Sequence, residues 1–314
     1  MGLAHQSCCS GISHRPFDSR GSLRISEMRS IQEYIGRTVQ SAELVSAHLV
    51  ERLAATLGDA PVNTDVLPPL WHWLLFQEWA SPVQLGMDGH PKRGGFLPPL
   101  PELTRRVWGG GRVEFGVSPR VGERIVRTSV IQRIDEKTGK SGRLVVVTVR
   151  HELAGTSGMC VREEQDLVYR ETNTRDTTVA AAAAKMGAAA ATLTCPAAPP
   201  GAFSRQVLPD PVLLFRFSAL TGNAHRIHYD LPYACEQEGY PGLVVHGPLQ
   251  AIWLIGCSQQ ELGIVPARFE YRAHRPAIAG RTLRLEGWRE GPLARLRTVD
   301  ADGAPCMTAE AMLA

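Results

Sequence analysis

The spacing of apolar and polar positions changes character several times along the 314-residue chain. "SAELVSAHLVERLAATLG", residues 41–58, repeats apolar side chains through Leu44, Val45, Leu49, Leu53 and Leu57, with His48 on the same face and Gly58 as a stop. That spacing predicts an amphipathic helix. The stretch that follows, "PPLWHWLLFQEWASPVQLGMDGHPKRGGFLPPLP", is rich in proline and tryptophan and reads as loop. From residue 112 onward the period drops to two. Ile125, Arg127, Ser129 and Ile131 fall on one side of an alternation, and "KTGKSG" marks a hairpin turn. The β-branched run from Leu144 to Val149 and "VREEQDLVYRE" continue as strands.

An alanine-rich segment, roughly 177–201, then interrupts the pattern; its prolines, Gly187 and lack of an amphipathic face make it a linker rather than a helix. Beyond it the plan repeats. "RVEFGVSP" at 112 has a partner in "RFEYRAHRP" at 268, and each proline is soon followed by Gly and Arg. A helix and then an antiparallel sheet, twice over, predicts two packed α+β units that arose by duplication. The expected divisions are an N-terminal extension over 1–29, a first unit over 30–175, a linker over 176–202 and a second unit over 203–314.

Composition acts mainly by exclusion. With 44% hydrophobic and 21% charged residues the chain can build an ordinary core, and a net charge of +3 is too small to argue for nucleic acid. Seven scattered cysteines without a C-x-x-C pair argue for a reducing compartment and against a disulfide framework or a thiolate zinc site. No apolar run approaches the ~20 residues of a membrane span. The first residues carry Arg15, Arg20, Arg24 and Arg29 against Asp18 and Glu27. They read as a disordered extension, or as a start placed ahead of Met28, with an organellar presequence as the alternative. The expected compartment is the cytoplasm, or the mitochondrion if the presequence reading holds. "WGGGR" at 108 lacks a nucleotide-binding pattern and reads as a turn.

Candidate chemistry gathers in "FSALTGNAHRIHYDLPYACEQEGYPGLVVHGPL", residues 217–249, which holds His225, His228 and His246. "YDLPYACEQEG" predicts a helix capped by Asp230, with Pro232 in its first turn and Gly239 at its end. "PGLVVHGPLQAIWLIGC" predicts a short buried strand or turn running into an apolar helix after Gly247. The histidines thus fall at helix entrances, where free N–H groups favour negative charge. His228 suits a general base near neutral pH, against the plainer reading of a satisfied structural histidine. His225, His228 and Asp230 form H-x-x-H-x-D, a chemically conceivable zinc triad whose spacing fits no strong metal motif.

The same stretch resembles the signature of the MaoC-like, or hydratase-2, hotdog proteins. Thr221, Gly222, Ile227, His228 and Ala234 match that signature, and "GLVVHGPL" is similar to the family's second motif. Asn223, His225 and Arg226 depart from it, standing where the family has aspartate, asparagine and proline. Together with "GGFLPPLPELTRRVWGGGRVEF" and "EEQDLVYRE", these departures resemble the branch of itaconyl-CoA and mesaconyl-CoA hydratases, over residues 31–314.

The resemblance implies an α+β double hotdog fold, each half wrapping a curved antiparallel sheet around a central helix, with the catalytic signature in the C-terminal half alone. It implies reversible addition of water to an enoyl-CoA double bond. His228 would be the base, Asn223 would orient the water in place of a carboxylate, and His225 would supply a second proton-transfer group unless His228 works alone. The Gly247 N–H, beside His246, would hold the thioester oxygen. Arg226 would read a free carboxylate on the acyl group, against a contact to a CoA phosphate or an ion pair with Asp230 or Glu236. Tyr229 and Tyr240 would line the pocket or simply pack. No metal and no cofactor is expected, CoA being part of the substrate. The expected partner is the acyl-CoA, not nucleic acid or membrane, with a homodimer left open. Two alternatives are a 3-hydroxyacyl-thioester dehydratase of fatty-acid synthesis and a non-catalytic acyl-CoA binding module.

Overall fold

The computed structural model describes residues 30–58, 65–139, 142–171 and 196–313. The first half contributes strands β1 (Thr38–Leu44), β2 (Arg105–Phe115), β3 (Arg124–Gly139), β4 (Gly142–Gly155) and β5 (Gly158–Arg170). The second contributes β6 (Phe203–Val207), β7 (Pro266–Ala273), β8 (Leu283–Glu290), β9 (Leu293–Val299) and β10 (Pro305–Leu313). All pair antiparallel in one sheet, in the order β1-β3-β4-β5-β2-β7-β10-β9-β8-β6. Each half therefore has the same internal order, first-third-fourth-fifth-second, and the halves join through their second strands.

That junction is where the repeated text lies. Arg112 pairs with Glu270, Val113 with Phe269 and Glu114 with Arg268. Equivalent residues of the two copies exchange partners about the fully buried Val113–Phe269 pair, as a twofold axis requires. The alternation read from β3 also holds: Ile125, Ser129 and Ile131 are buried. β3 and β4 pair as far as Gly139 and Gly142, so the expected hairpin forms, though its tip lies outside the described residues. The extension over 1–29 and most of the linker lie outside them too. No helix among the described residues is long and apolar enough to cross a membrane.

The helical layer is unequal. In the second half, α2 (Pro211–Thr221) and α3 (Gly247–Leu262) lie between β6 and β7. α3 packs along β7 to β10 and buries Leu249, Ile252, Leu254 and Ile255. In the first half, α1 (Ala47–Leu57) is followed, among the described residues before β2, only by short 3₁₀ turns at Trp71–Leu74 and Pro82–Gln84. Proline removes a helical hydrogen bond and clashes with the preceding turn. Pro68, Pro69, Pro91, Pro98, Pro99 and Pro101 therefore keep this segment irregular. Leu67, Leu70, Trp71, Leu74 and Leu75 fill the core from that irregular backbone instead. Leu70 and Phe76 adopt positive φ there (68° and 61°). Such strain costs on the order of 1–3 kcal/mol each and persists only where the surroundings over-determine it.

Three expectations need correcting. The helix foreseen over 41–58 begins only at Ala47, because Ser41–Leu44 belongs to β1 and pairs with Arg124–Arg127 of β3. A non-local ladder outweighs local helical spacing. "YDLPYACEQEG" does form a helix over 231–237 capped by Asp230, whose Oδ1 accepts from the Tyr233 N–H at 3.1 Å, but it is short and widens to a π-turn at Tyr233–Gln237. Finally, "WGGGR" at 108, expected as a turn, lies inside β2, where the ladder to β5 shifts register between Trp108 and Gly110 and the glycines let neighbouring chains approach closely. α2, by contrast, was not foreseen at all. Its boundary signals are plain: the Asp210 side chain accepts from the Leu213 N–H at 2.7 Å, Pro211 starts the helix and Gly222 ends it at φ 60°. Its apolar residues lie on all sides, with Phe215 and Val212 exposed, so no amphipathic stripe announced it.

Candidate active site

α2 delivers the chain to Gly222 and then to Asn223, whose side-chain Oδ1 accepts the His225 N–H at 3.1 Å. This Asx turn leads into the 3₁₀ turn Arg226–His228. His228 Nδ1 lies 2.7 Å from the Val244 carbonyl oxygen. A carbonyl can only accept, so Nδ1 carries the proton and Nε2 holds the lone pair. Nε2 has no protein partner, and it is not among the fully enclosed orphan atoms, which include His246 Nδ1. Burial lowers the His228 pKa to about 3 against the opposing Val244 hydrogen bond, so the ring is neutral at physiological pH.

His246 stacks on His228 with centroids 3.6 Å apart and shares a hydrogen bond with Ser218 Oγ through Nε2 at 2.8 Å. Burial holds its pKa well below the usual range. Gly247 opens α3, where an N–H has no intrahelical acceptor. A Cβ at Gly247 would stand 2.5 Å from Trp108 Cε3, so only glycine lets this helix start lie against that indole.

A cavity of about 320 Å³ joins the halves. Phe217, Thr221, Asn223 and Pro248 line it from the second half, and Trp73, Trp108, Arg127, His151, Glu163 and Gln165 are among its first-half lining. His228 is not in the lining. It lies behind the wall: it stacks on His246, whose ring meets edge-on at 4.9 Å the ring of Phe217, and Phe217 lines the cavity.

The first-half wall is polar and buried. Glu163 Oε2 lies 2.9 Å from His72 Nε2, while Oε1 accepts from Trp73 Nε1 at 2.9 Å and from Gln165 Nε2 at 2.8 Å. Burial pushes the Glu163 pKa up, but the His72 hydrogen bond and the nearby His72 and His151 outweigh it and hold it at about 2. His151 shares a 2.7 Å hydrogen bond with Ser129, and burial lowers its pKa to about 4. None of these first-half residues was singled out as a site from the sequence. The available signal was an ionisable residue on the apolar side of an alternation: Arg127 between Ile125 and Ser129, and Glu163 two residues after Val161.

The structure redistributes several expected roles. Arg226 is engaged: Nε and Nη2 donate to Asp230 Oδ2 at 2.9 and 2.7 Å, Nη1 donates to the Met87 carbonyl, and the guanidinium lies over the Tyr233 ring. This is the ion pair with Asp230 that was set against the carboxylate-reading role. Tyr229 is 46% exposed and donates to the Ala224 carbonyl, outside the cavity lining. Tyr240 packs against the core. His225 stands edge-on to His228 at 5.7 Å between centroids, with Nε2 3.9 Å from Glu238 and its ring against His90. It braces the motif against the first half instead of facing the cavity. His225, His228 and Asp230 do not converge on a metal position, since His228 turns to Val244 and Asp230 to Arg226. The one group of three potential ligands that converges among the described residues is Asp88, His90 and His225, within 4.8 Å. There Asp88 already accepts the His90 ring at 3.1 Å.

These buried histidines make a pH prediction. Burial lowers the pKa of His228, His90 and His151 to about 3, 4 and 4 from an ordinary 6.5, and holds that of His246 well below the ordinary value. As pH falls below 6.5 the unfolded chain takes up these protons before the folded one does, so stability is lost from there down towards about 4. The denaturant midpoint is expected to be flat on the alkaline side and to fall steadily on acidification through that window. An unchanged midpoint between pH 6.5 and 4 would contradict the burial of these rings in neutral form.

Comparison with known proteins bears on this geometry. The family model for hydroxyacyl-thioester dehydratase type 2 matches residues 70–279. The mesaconyl-C(4)-CoA hydratase of Chloroflexus aurantiacus is 42% identical over 281 residues, covering 88% of this chain and 95% of that protein. Among solved structures, HtdX of Mycobacterium tuberculosis superposes with a TM-score of 0.60 at 16% identity, over 87% of this chain and 98% of the other. A second M. tuberculosis protein, described as having a double hotdog fold, gives a TM-score of 0.53 at 12% identity over 88% and 96%. The ten-stranded duplicated sheet is such a double hotdog. With the matched span running from the cavity's first-half wall through both histidine motifs, the chain belongs to the hydroxyacyl-thioester dehydratase type 2 family and is a hydro-lyase of the MaoC-like type.

Proposed function

We propose that this protein adds water reversibly across the double bond of a short dicarboxylic enoyl-CoA thioester, mesaconyl-CoA or itaconyl-CoA. The observation that carries the reading is the cavity. The catalytic-motif residues Asn223 and Pro248 share its lining with Arg127, Gln165, Glu163 and His151, polar groups that a purely alkyl chain would leave unpartnered among the aromatic and aliphatic side chains. The extended identity to a mesaconyl-C(4)-CoA hydratase points the same way.

In this mechanism His228 Nε2 takes the proton from the attacking water as its oxygen bonds to the β carbon. The Asn223 Oδ1 is occupied by the His225 N–H, which leaves the amide NH₂ to orient that water. Negative charge moves to the thioester oxygen, which the Gly247 N–H receives at the positive end of α3. The imidazolium then returns its proton to the α carbon. With an amide in place of a carboxylate and His225 turned towards Glu238, one base serves both transfers. The step uses no cofactor.

An assay of the purified protein against mesaconyl-C(4)-CoA, itaconyl-CoA and crotonyl-CoA tests the proposal. Hydration of a carboxylated thioester with the higher kcat/KM is expected. A preference for crotonyl-CoA or for longer apolar thioesters would move the protein to the fatty-acyl dehydratases. Hydration of none of them would leave only a binding module.

A further inference from the structure

Arg127 is a half-buried cation that forms no ion pair with the other described residues, and it lines the acyl cavity. It sits on β3, paired with Ser41 and Leu153, on the face that carries Ile125, Ser129 and Ile131. It lines the cavity, and its Nε is enclosed with no hydrogen-bond partner. The guanidinium stands 4.7 Å over the Phe76 ring, the residue held at positive φ. Burial lowers its pKa, and Glu163, Glu43 and Glu78 offset this only from a distance. Glu163 is already taken by His72, Trp73 and Gln165, and Glu43 accepts the Phe76 N–H. A desolvated charge with no partner is costly, so an anion belongs beside it for part of the working cycle.

We infer that Arg127 receives the free carboxylate of the acyl group and so selects dicarboxylic thioesters over alkyl ones. The inference rests on the hydratase reading above. The planar fork of the guanidinium matches a carboxylate with two parallel hydrogen bonds. Asn223 and Pro248 line the same cavity from the second half, on the side of the catalytic motif where the reacting end of that acyl group must lie. A space of about 320 Å³ takes a short acyl chain, not the nucleotide of CoA, which separates this role from phosphate binding. Arg226, the arginine inside the motif, cannot compete for the role while Asp230 holds two of its nitrogens.

The test is Arg127→Met, measured on mesaconyl-C(4)-CoA and on crotonyl-CoA. A hydrogen-bonded charge contact is worth about 1.5–3 kcal/mol, so kcat/KM on the carboxylated thioester should fall about 10- to 100-fold, mainly through KM. Activity on crotonyl-CoA should hold or rise. Inhibition gives a second readout: the wild type should bind succinyl-CoA more tightly than butyryl-CoA, and the variant should lose that preference. Arg226→Ala is the control and should change both substrates by one common factor. Equal losses of Arg127→Met on both thioesters, with the succinyl preference intact, would overturn the assignment. A wild type that hydrates neither thioester would overturn the hydratase reading itself, a different result. If Arg127→Met does not fold, Arg127→Lys carries the same comparison; it keeps the charge but not the fork, and a loss confined to the carboxylated thioester is again the expected outcome.

Discussion

His228→Ala is expected to lower kcat by about 10²- to 10⁴-fold, the range that a positioned proton-transfer group contributes. The size follows from the lack of a substitute. His246 is close enough to stack on His228, but its Nε2 is committed to Ser218 and its Nδ1 is enclosed. His225 is turned towards Glu238, and Asn223 cannot take a proton. The variant loses the stack on His246 and leaves the buried Val244 carbonyl without its donor, about 1–3 kcal/mol, which a domain of this size should survive folded. Steady-state kinetics beside a melting curve checks both halves. A folded His228→Ala that keeps wild-type kcat would remove His228 from the chemistry.

The second large effect falls on stability. Glu163→Ala is expected to destabilise the protein by about 1–3 kcal/mol or more, the cost of leaving the buried donors of His72, Trp73 and Gln165 without their acceptor. Glu163 is 1% exposed and His72 5% exposed, so water cannot replace the lost acceptor for His72, Trp73 or Gln165. Glu163→Gln keeps an acceptor and should lose less. The carboxylate also has its own pH signature. Its folded pKa of about 2 lies below the ordinary 4.5, so its contribution is complete above 4.5 and disappears as pH falls towards 2. Chemical denaturation of both variants tests the claim; a loss under about 1 kcal/mol for Glu163→Ala would mean that the pair contributes little, as surface pairs do.

How much of this could be read from the chain depended on whether the signal was local. The duplicated strings at 112 and 268 were legible as a repeat, but their meeting at Val113 and Phe269 is a pairing across half the chain. The histidine motif was legible because its turn geometry is built from neighbours: Asn223 to His225, and Asp230 to Tyr233. Arg226 and Asp230, four residues apart, carried a local ion-pair signal, and the pair forms. The first-half wall was hidden for the opposite reason. Arg127, Glu163 and His72 come from three separate segments, and only the sheet and the proline-broken segment bring them to one cavity. β1 was masked by helical spacing because its partner strand lies some eighty residues downstream, Leu44 opposite Arg124.

A structure of the wild-type protein with the 3-hydroxyacyl-CoA product bound examines the central claim most directly. The product β-hydroxyl is expected about 2.6–3.2 Å from His228 Nε2, with the thioester oxygen on the Gly247 N–H. An acyl group seated elsewhere, with the His228 ring still closed off from it, would contradict the account.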